Sequence, residues 1–275
     1  MILPRVVSAD ARPLDGGRRM IAGQLLAGEG AVIASTTAAA WHGVRAAAGS
    51  RDVLVDVPNE RHPRSHAFVV VRRTRRPDPQ SIHAPALWIA SAPRSVADAA
   101  RESGGDRARA IVLEAVQRHV VTLAELRHQL EIGPRPGSRS LRTALGEAEA
   151  GAWSIPEADL MRIVRASRVL PPMWANPILT TSAGRRLPRP DGCFDDVALA
   201  VQVHSQRHHA GELDWEATVS ADGVFAEHGI ALVAVTPRQI ATDPEGVASR
   251  IERAHAQARR RPRPAVVVLP IPSAS

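Results

Sequence analysis

The first half of the chain alternates between short Ala-rich and Leu-rich stretches with helical spacing and compact valine runs. Residues 18–26 and 35–41 read as helices, the second with Ser35 in the capping position. Residues 52–57 and 67–71 are β-branched and strand-like, and the polar stretch 59–65 between them predicts a β-hairpin. A further strand is expected over 84–90, after which Ser91 and Pro93 open a helix to about Glu102. Two more helices follow. One spans 106–119, with Ile111, Ala115 and Val116 on a shared face; the other starts at Thr122, a cap with Glu125 three residues on, and ends near Leu130. The Gly-rich and Pro-rich stretch 133–138 reads as a loop, and a short helix over 141–150 is stopped by Gly151.

Beyond that point the order of patterns is helix, three strands, helix, strand, helix. Residues 154–170 are helical, with Leu160, Ile163 and Val164 on one side, and 176–179, 191–194 and 198–204 are strand candidates. Asp214 caps the next helix, which Gly229 stops; 230–235 is a buried-type strand and 244–260 the last helix. The proline-rich stretch that follows predicts an edge strand or an extended arm. The fold class is therefore α/β. Residues 1–150 form a smaller mixed α/β domain, 151–265 an αβββαβ core, and 266–275 a Pro-rich tail.

Composition agrees with two domains, since 275 residues with 44 % hydrophobic content can bury two cores. No run approaches the roughly 18 apolar residues of a membrane span, and the first ten residues lack the order of a secretion signal. The expectation is a cytoplasmic protein with no membrane partner. A single cysteine, Cys193, excludes an internal disulfide and a cysteine-cluster zinc site, and reads as a small core residue. The formal charge of +7 is carried without a single lysine. An all-arginine basic surface suits phosphate and stacked bases. GC-rich coding, which favours arginine over lysine, accounts for the same composition.

Polar residues on the strands of the second half carry the candidate chemistry. A divalent-metal phosphodiesterase needs hard oxygen ligands converging from neighbouring strands. Asp191 begins one strand; Gln202 and His204 on the next are two apart and share a face, at an offset that suits a hairpin. Each has a plainer reading. Glu157 completes a capping box with Ser154, Asp191 can open a turn with Gly192, and Asp195 and Asp196 suit the hairpin turn. His204, His208 and His209 lie close in sequence, but the adjacent pair would splay apart on a strand, which argues against zinc. Arg72, Arg73, Arg75 and Arg76, with Arg61 and Arg64, surround the predicted hairpin, and Arg259, Arg260, Arg261 and Arg263 close the last helix. Both groups are candidates for phosphate contact, or are solvated faces.

An ordered series of motifs carries a resemblance. It comprises Ser154-Ile155-Pro156-Glu157, the stretch from Leu170 to Pro177 that reads Leu-Pro-Pro-Met-Trp-Ala-Asn-Pro, Arg189-Pro190-Asp191, Val201-Gln202-Val203-His204-Ser205, His209, Asp214-Trp215-Glu216-Ala217-Thr218, and Val235-Thr236-Pro237-Arg238-Gln239-Ile240. Together these resemble the PD-(D/E)XK nuclease superfamily, in the bacterial branch that looks like the very-short-patch repair endonuclease. The resemblance implies a restriction-endonuclease-like core and a divalent-metal site. Three departures mark that site. Gln202 and His204 stand where the family has two acids, there is no lysine to serve as the catalytic cation, and Asp222 or its neighbours replace an arginine or histidine. The implied state is catalytic impairment without a cofactor. The rival is a DNA endonuclease using Mg²⁺ or Mn²⁺, with Asp191 and Gln202 as metal ligands, Glu157 assisting, and His204 or His209 as base.

The first half, through the stretch from Ala31 to Val44 and Ser91-Ala92-Pro93-Arg94-Ser95-Val96-Ala97-Asp98, resembles AbiEi-type antitoxins. That resemblance implies a defence or toxin–antitoxin setting with a cognate toxin as partner. The family's leading winged helix-turn-helix is missing, because only about 17 residues precede the first predicted helix. Duplex DNA and a protein partner both stay open as ligands.

Overall fold

A computed structural model of the chain describes residues 2–8, 10, 12–204 and 212–270, the side chains of 212–219 excepted. Two compact units result, Met1–Ala148 and Glu149–Ser275. Both are mixed α/β.

In the first unit the order is α1 (Gly16–Ala27), β1 (Val32–Ile33), α2 (Ser35–Trp41), a 3-10 turn, β2 (Val53–Pro58), β3 (Val69–Thr74), β4 (Ile82–Ala84), β5 (Leu87–Ile89), α3 (Ala92–Ser103), α4 (Gly105–Gln117), α5 (Leu123–Ile132) and α6 (Ser138–Glu149). The five strands make one sheet in the order β3-β2-β1-β5-β4. Helix α1 lies on it with Gly23 against the sheet: a Cβ there would stand 3.1 Å from Val53 Cγ1 and 3.5 Å from methyls of Val55 and Val69. Alternation in β2 sends Val53, Val55 and Val57 into this core, while α3 packs against α2, α4 and α5.

Three expectations for this unit are corrected. Strands β2 and β3 do not form a hairpin; they run parallel, Val53 opposite Val69 and Val57 opposite Arg73. The polar stretch between them is long enough to cross back along the sheet and start again at the same end. Ser35 does not cap α2. Ala34 holds that position, and the Ser35 hydroxyl donates instead to Glu102 Oε2 at 2.6 Å. The strand expected over 84–90 is broken into antiparallel β4 and β5 by Ala86, whose φ is 78°. Thr122 and Glu125 do form the expected capping box.

The second unit runs α7 (Ile155–Ala166), β6 (Trp174–Ala175), β7 (Ile178–Thr181), β8 (Gly192–Phe194), β9 (Leu199–Val203), α8 (Glu212–Glu227), β10 (Ala231–Val235), α9 (Pro237–Thr242), α10 (Pro244–Ala258) and β11 (Val266–Leu269). Its main sheet has the order β10-β9-β8-β6. β6, β8 and β9 are antiparallel neighbours, and β10 joins parallel to β9, with α8 between them in sequence. One face buries Phe194, Leu199, Val201, Val233 and Val235 under α7, α9 and α10. The other buries Cys193, Ala198 and Ala200 against Phe225 of α8, Leu179 and Val266. The expected strand 176–179 is displaced to Ile178–Thr181 and leaves the main sheet to pair antiparallel with β11. The first residues of the expected tail are thus an edge strand.

Candidate functional site

Asp191 and Gln202 come together because β8 and β9 are antiparallel. Gly192 pairs with Val201, so one step along, Asp191 faces Gln202 across the ladder. Period-two alternation places Gln202 on the same face as Ala200, on the α8 side, and His204 follows on that face. The Val203 N–H donates to Asp191 Oδ2 at 2.6 Å, which fastens the carboxylate to β9.

Glu157 reaches the group from the first turn of α7. Its Oε1 accepts from Ser154 Oγ at 2.7 Å, and its Oε2 accepts from Trp153 N at 2.9 Å and Asn176 Nδ2 at 2.8 Å. The Ser154 hydroxyl caps α7 by accepting from Glu157 N at 3.4 Å, but the expected capping box is not closed, because the Glu157 carboxylate accepts from Trp153 N and not from Ser154 N. Asn176, buried and with a φ of 47°, also donates its backbone N–H to Asp191 O at 3.0 Å. It links Glu157 to the strand start that carries Asp191.

Electrostatics follow from this packing. Burial, then the neighbouring Glu157 carboxylate, push the Asp191 carboxyl up to about 7, against the pull of the Val203 N–H. Among the described residues Gln202 Oε1 is buried without a hydrogen-bond partner. His204 Nε2 lies 3.2 Å from Asp222 Oδ2 on α8. At the edge of the group the exposed Arg189 guanidinium stands 5.0 Å from the centre of the Trp153 ring. His208 and His209 lie outside the described residues.

A hard divalent cation fits this donor set poorly. Mg²⁺ takes carboxylate and water oxygens in near-octahedral array. Glu157 already accepts three hydrogen bonds from structural donors. Asp191 has its Oδ2 tied to Val203 N. The unpartnered Gln202 oxygen would welcome a cation but brings no charge. Among the described residues no cluster of three His, Cys, Asp or Glu side chains could hold a metal ion.

The candidate arginines separate into distinct environments. Arg72 is tied inward, its Nη2 2.7 Å from Asp56 and its Nη1 paired with Glu102. Arg76 is partly buried among α3 and α5, while Arg73, Arg75, Arg259 and Arg260 are exposed. Sequence reasoning named neither Asn176 nor Trp153 as site residues. The signal available for Asn176 was an amide opening an otherwise apolar strand candidate.

No family model, curated protein or solved structure matches the chain. No helix among the described residues is long and apolar enough to cross a membrane.

Proposed function

We propose that the second unit is a restriction-endonuclease-like domain that has lost metal-dependent cleavage, and that the protein acts by binding duplex DNA in a defence or toxin–antitoxin setting. The observation that carries the proposal is the state of the Asp191–Gln202 pair. Only one of the two is an acid, and the other is a neutral amide whose oxygen has no hydrogen-bond partner among the described residues. An active site of this topology would need two free acids there. Support for the fold assignment is the helix, antiparallel meander, crossover helix and parallel strand around that pair. Support for DNA as ligand is the exposed Arg73, Arg75, Arg259 and Arg260 in a chain of charge +7. The defence setting rests on the antitoxin-like motifs of the first half.

Supercoiled and mismatched DNA incubated with the protein and Mg²⁺ or Mn²⁺ is expected to stay intact. Nicking by the wild type that disappears in Asp191→Ala would sink the proposal. Restoring Gln202→Glu with His204→Asp is expected to tighten Mn²⁺ binding by about tenfold or more, read by calorimetry independently of cleavage. Duplex binding is expected to weaken steeply between about 50 and about 200 mM salt. Absence of binding at the lower salt removes DNA as the ligand and leaves a protein partner.

A further inference from the structure

Three guanidinium groups converge in the first unit where β3 ends against α3 and α5. Arg94 and Arg101 are buried and Arg76 is partly so. Asp98 answers two of them. Its Oδ1 accepts from Arg101 Nη1 at 3.1 Å, and its Oδ2 accepts from Arg94 Nε. Arg101 completes its fork on Gln129 O at 2.6 Å and Ser138 Oγ at 3.5 Å, and Arg94 Nη1 reaches Arg76 O at 3.2 Å. The side chain of Arg76 is left over.

Among the described residues Arg76 makes no ion pair within 4.0 Å. Its Nη2 has only Gln129 Oε1 at 3.5 Å, the outer limit of a hydrogen bond, and its Nη1 is buried without any acceptor. The nearby Asp78 is committed elsewhere, its Oδ2 accepting from Ser91 N at 2.7 Å and Ser91 Oγ at 2.8 Å. Burial, with the facing charges of Arg94 and Arg101, holds the Arg76 guanidinium below the ordinary arginine range, against the pull of Asp98 and Asp78. Buried N–H groups without an acceptor are rare in folded proteins and call for a ligand or a partner. A planar fork of donors backed by further positive charge matches two oxygens of a phosphate group.

We infer that Arg76 anchors an oxyanion site that takes a phosphate group. Gln129, loosely held, turns its oxygen aside, and the rotated amide presents its NH₂ to the ion. Arg94 and Arg101 stay locked on Asp98 and supply the positive field behind it. The site is independent of the Asp191–Gln202 pair and of the proposed loss of cleavage.

The test is calorimetric titration of the full chain with inorganic phosphate at fixed ionic strength, with chloride as the control. One saturable site is expected for phosphate and none for chloride. Arg76→Gln should weaken binding by about tenfold or more, while Arg142→Gln, at an exposed position on α6, should leave it unchanged. Lack of saturable binding by the wild type, equal affinity in Arg76→Gln, or an equal loss in Arg142→Gln would overturn the inference. If Arg76→Gln does not fold, Arg76→Lys is measured in its place. It keeps the charge and loses the fork, so a drop of about fivefold or more is expected, and unchanged affinity overturns the site.

Discussion

Asn176 Nδ2 donates to Glu157 Oε2 over 2.8 Å, while the Asn176 backbone N–H donates to Asp191 O over 3.0 Å. One residue thus joins the start of α7 to the strand that opens the candidate site. Its side-chain amide also reaches Gly151 O at 2.9 Å, so both amide hydrogens are used. Asparagine tolerates the left-handed backbone at this position better than most residues. Asn176→Ala is expected to lower stability by about 1–3 kcal/mol, because it leaves a partly buried carbonyl and a partly buried carboxylate short of donors. Urea denaturation measures this, and an unchanged midpoint would mean that the bonds contribute nothing net.

Asp191 predicts a pH dependence with a definite sign. Its folded value of about 7 lies above the unfolded value of 3.8, so the native state holds a proton that the unfolded chain has released. The native state binds more protons throughout that window, and stability must fall as pH rises from about 4 to about 7. Above it the slope from this group vanishes. Asp191→Asn, neutral at every pH, is expected to flatten that slope and to gain on the order of 1 kcal/mol or more over wild type at pH 8. Denaturant midpoints for both proteins across the range decide it; parallel curves would show that Asp191 ionises freely.

How far the sequence foretold these features depended on whether the cause was local. The cap at Thr122 was legible because a capping box is written within four residues, Ser154 was legible as an N-cap, and the strands β9 and β10 were legible as valine and alanine runs bounded by turn residues. The juxtaposition of Asp191 and Gln202 was legible through the hairpin offset. Parallel pairing of β2 with β3 was not, since the valine runs are the same for either direction and only the path of the connecting segment decides it. Likewise Glu157 carries the same local pattern whether it serves a cap or a metal. Its commitment to Trp153, Ser154 and Asn176 is set by tertiary packing, as is the pairing of Ser35 with Glu102.

Asp98 stands between Arg94 and Arg101 in the interior of the first unit, each of the three less than a tenth exposed. Removing the shared carboxylate leaves two guanidiniums facing each other away from water. Asp98→Ala is expected to cost about 3–5 kcal/mol, the scale seen when a buried charge loses its partner. Asp98→Asn keeps the shape and two lone pairs, and should cost less. Thermal unfolding followed by circular dichroism gives the order, and equal losses for the two variants would show that shape and not charge is what matters here.

Two glycines with ordinary backbone angles separate tight packing that can give from tight packing that cannot. A Cβ on Gly192 would meet Met173 Sδ at 2.5 Å, but that sulfur ends a flexible chain. A Cβ on Gly133 would meet Gln129 O at 2.5 Å and collide with the Arg101 guanidinium, which Asp98 and Gln129 O hold in place. Neither the helical carbonyl nor the paired arginine can retreat without losing a buried hydrogen bond. Gly133→Ala is therefore expected to destabilise by about 2–4 kcal/mol and Gly192→Ala by about 1 kcal/mol. Equilibrium unfolding of the two variants side by side checks the order; a Gly192→Ala loss as large as that of Gly133→Ala would mean that Met173 has no room to move.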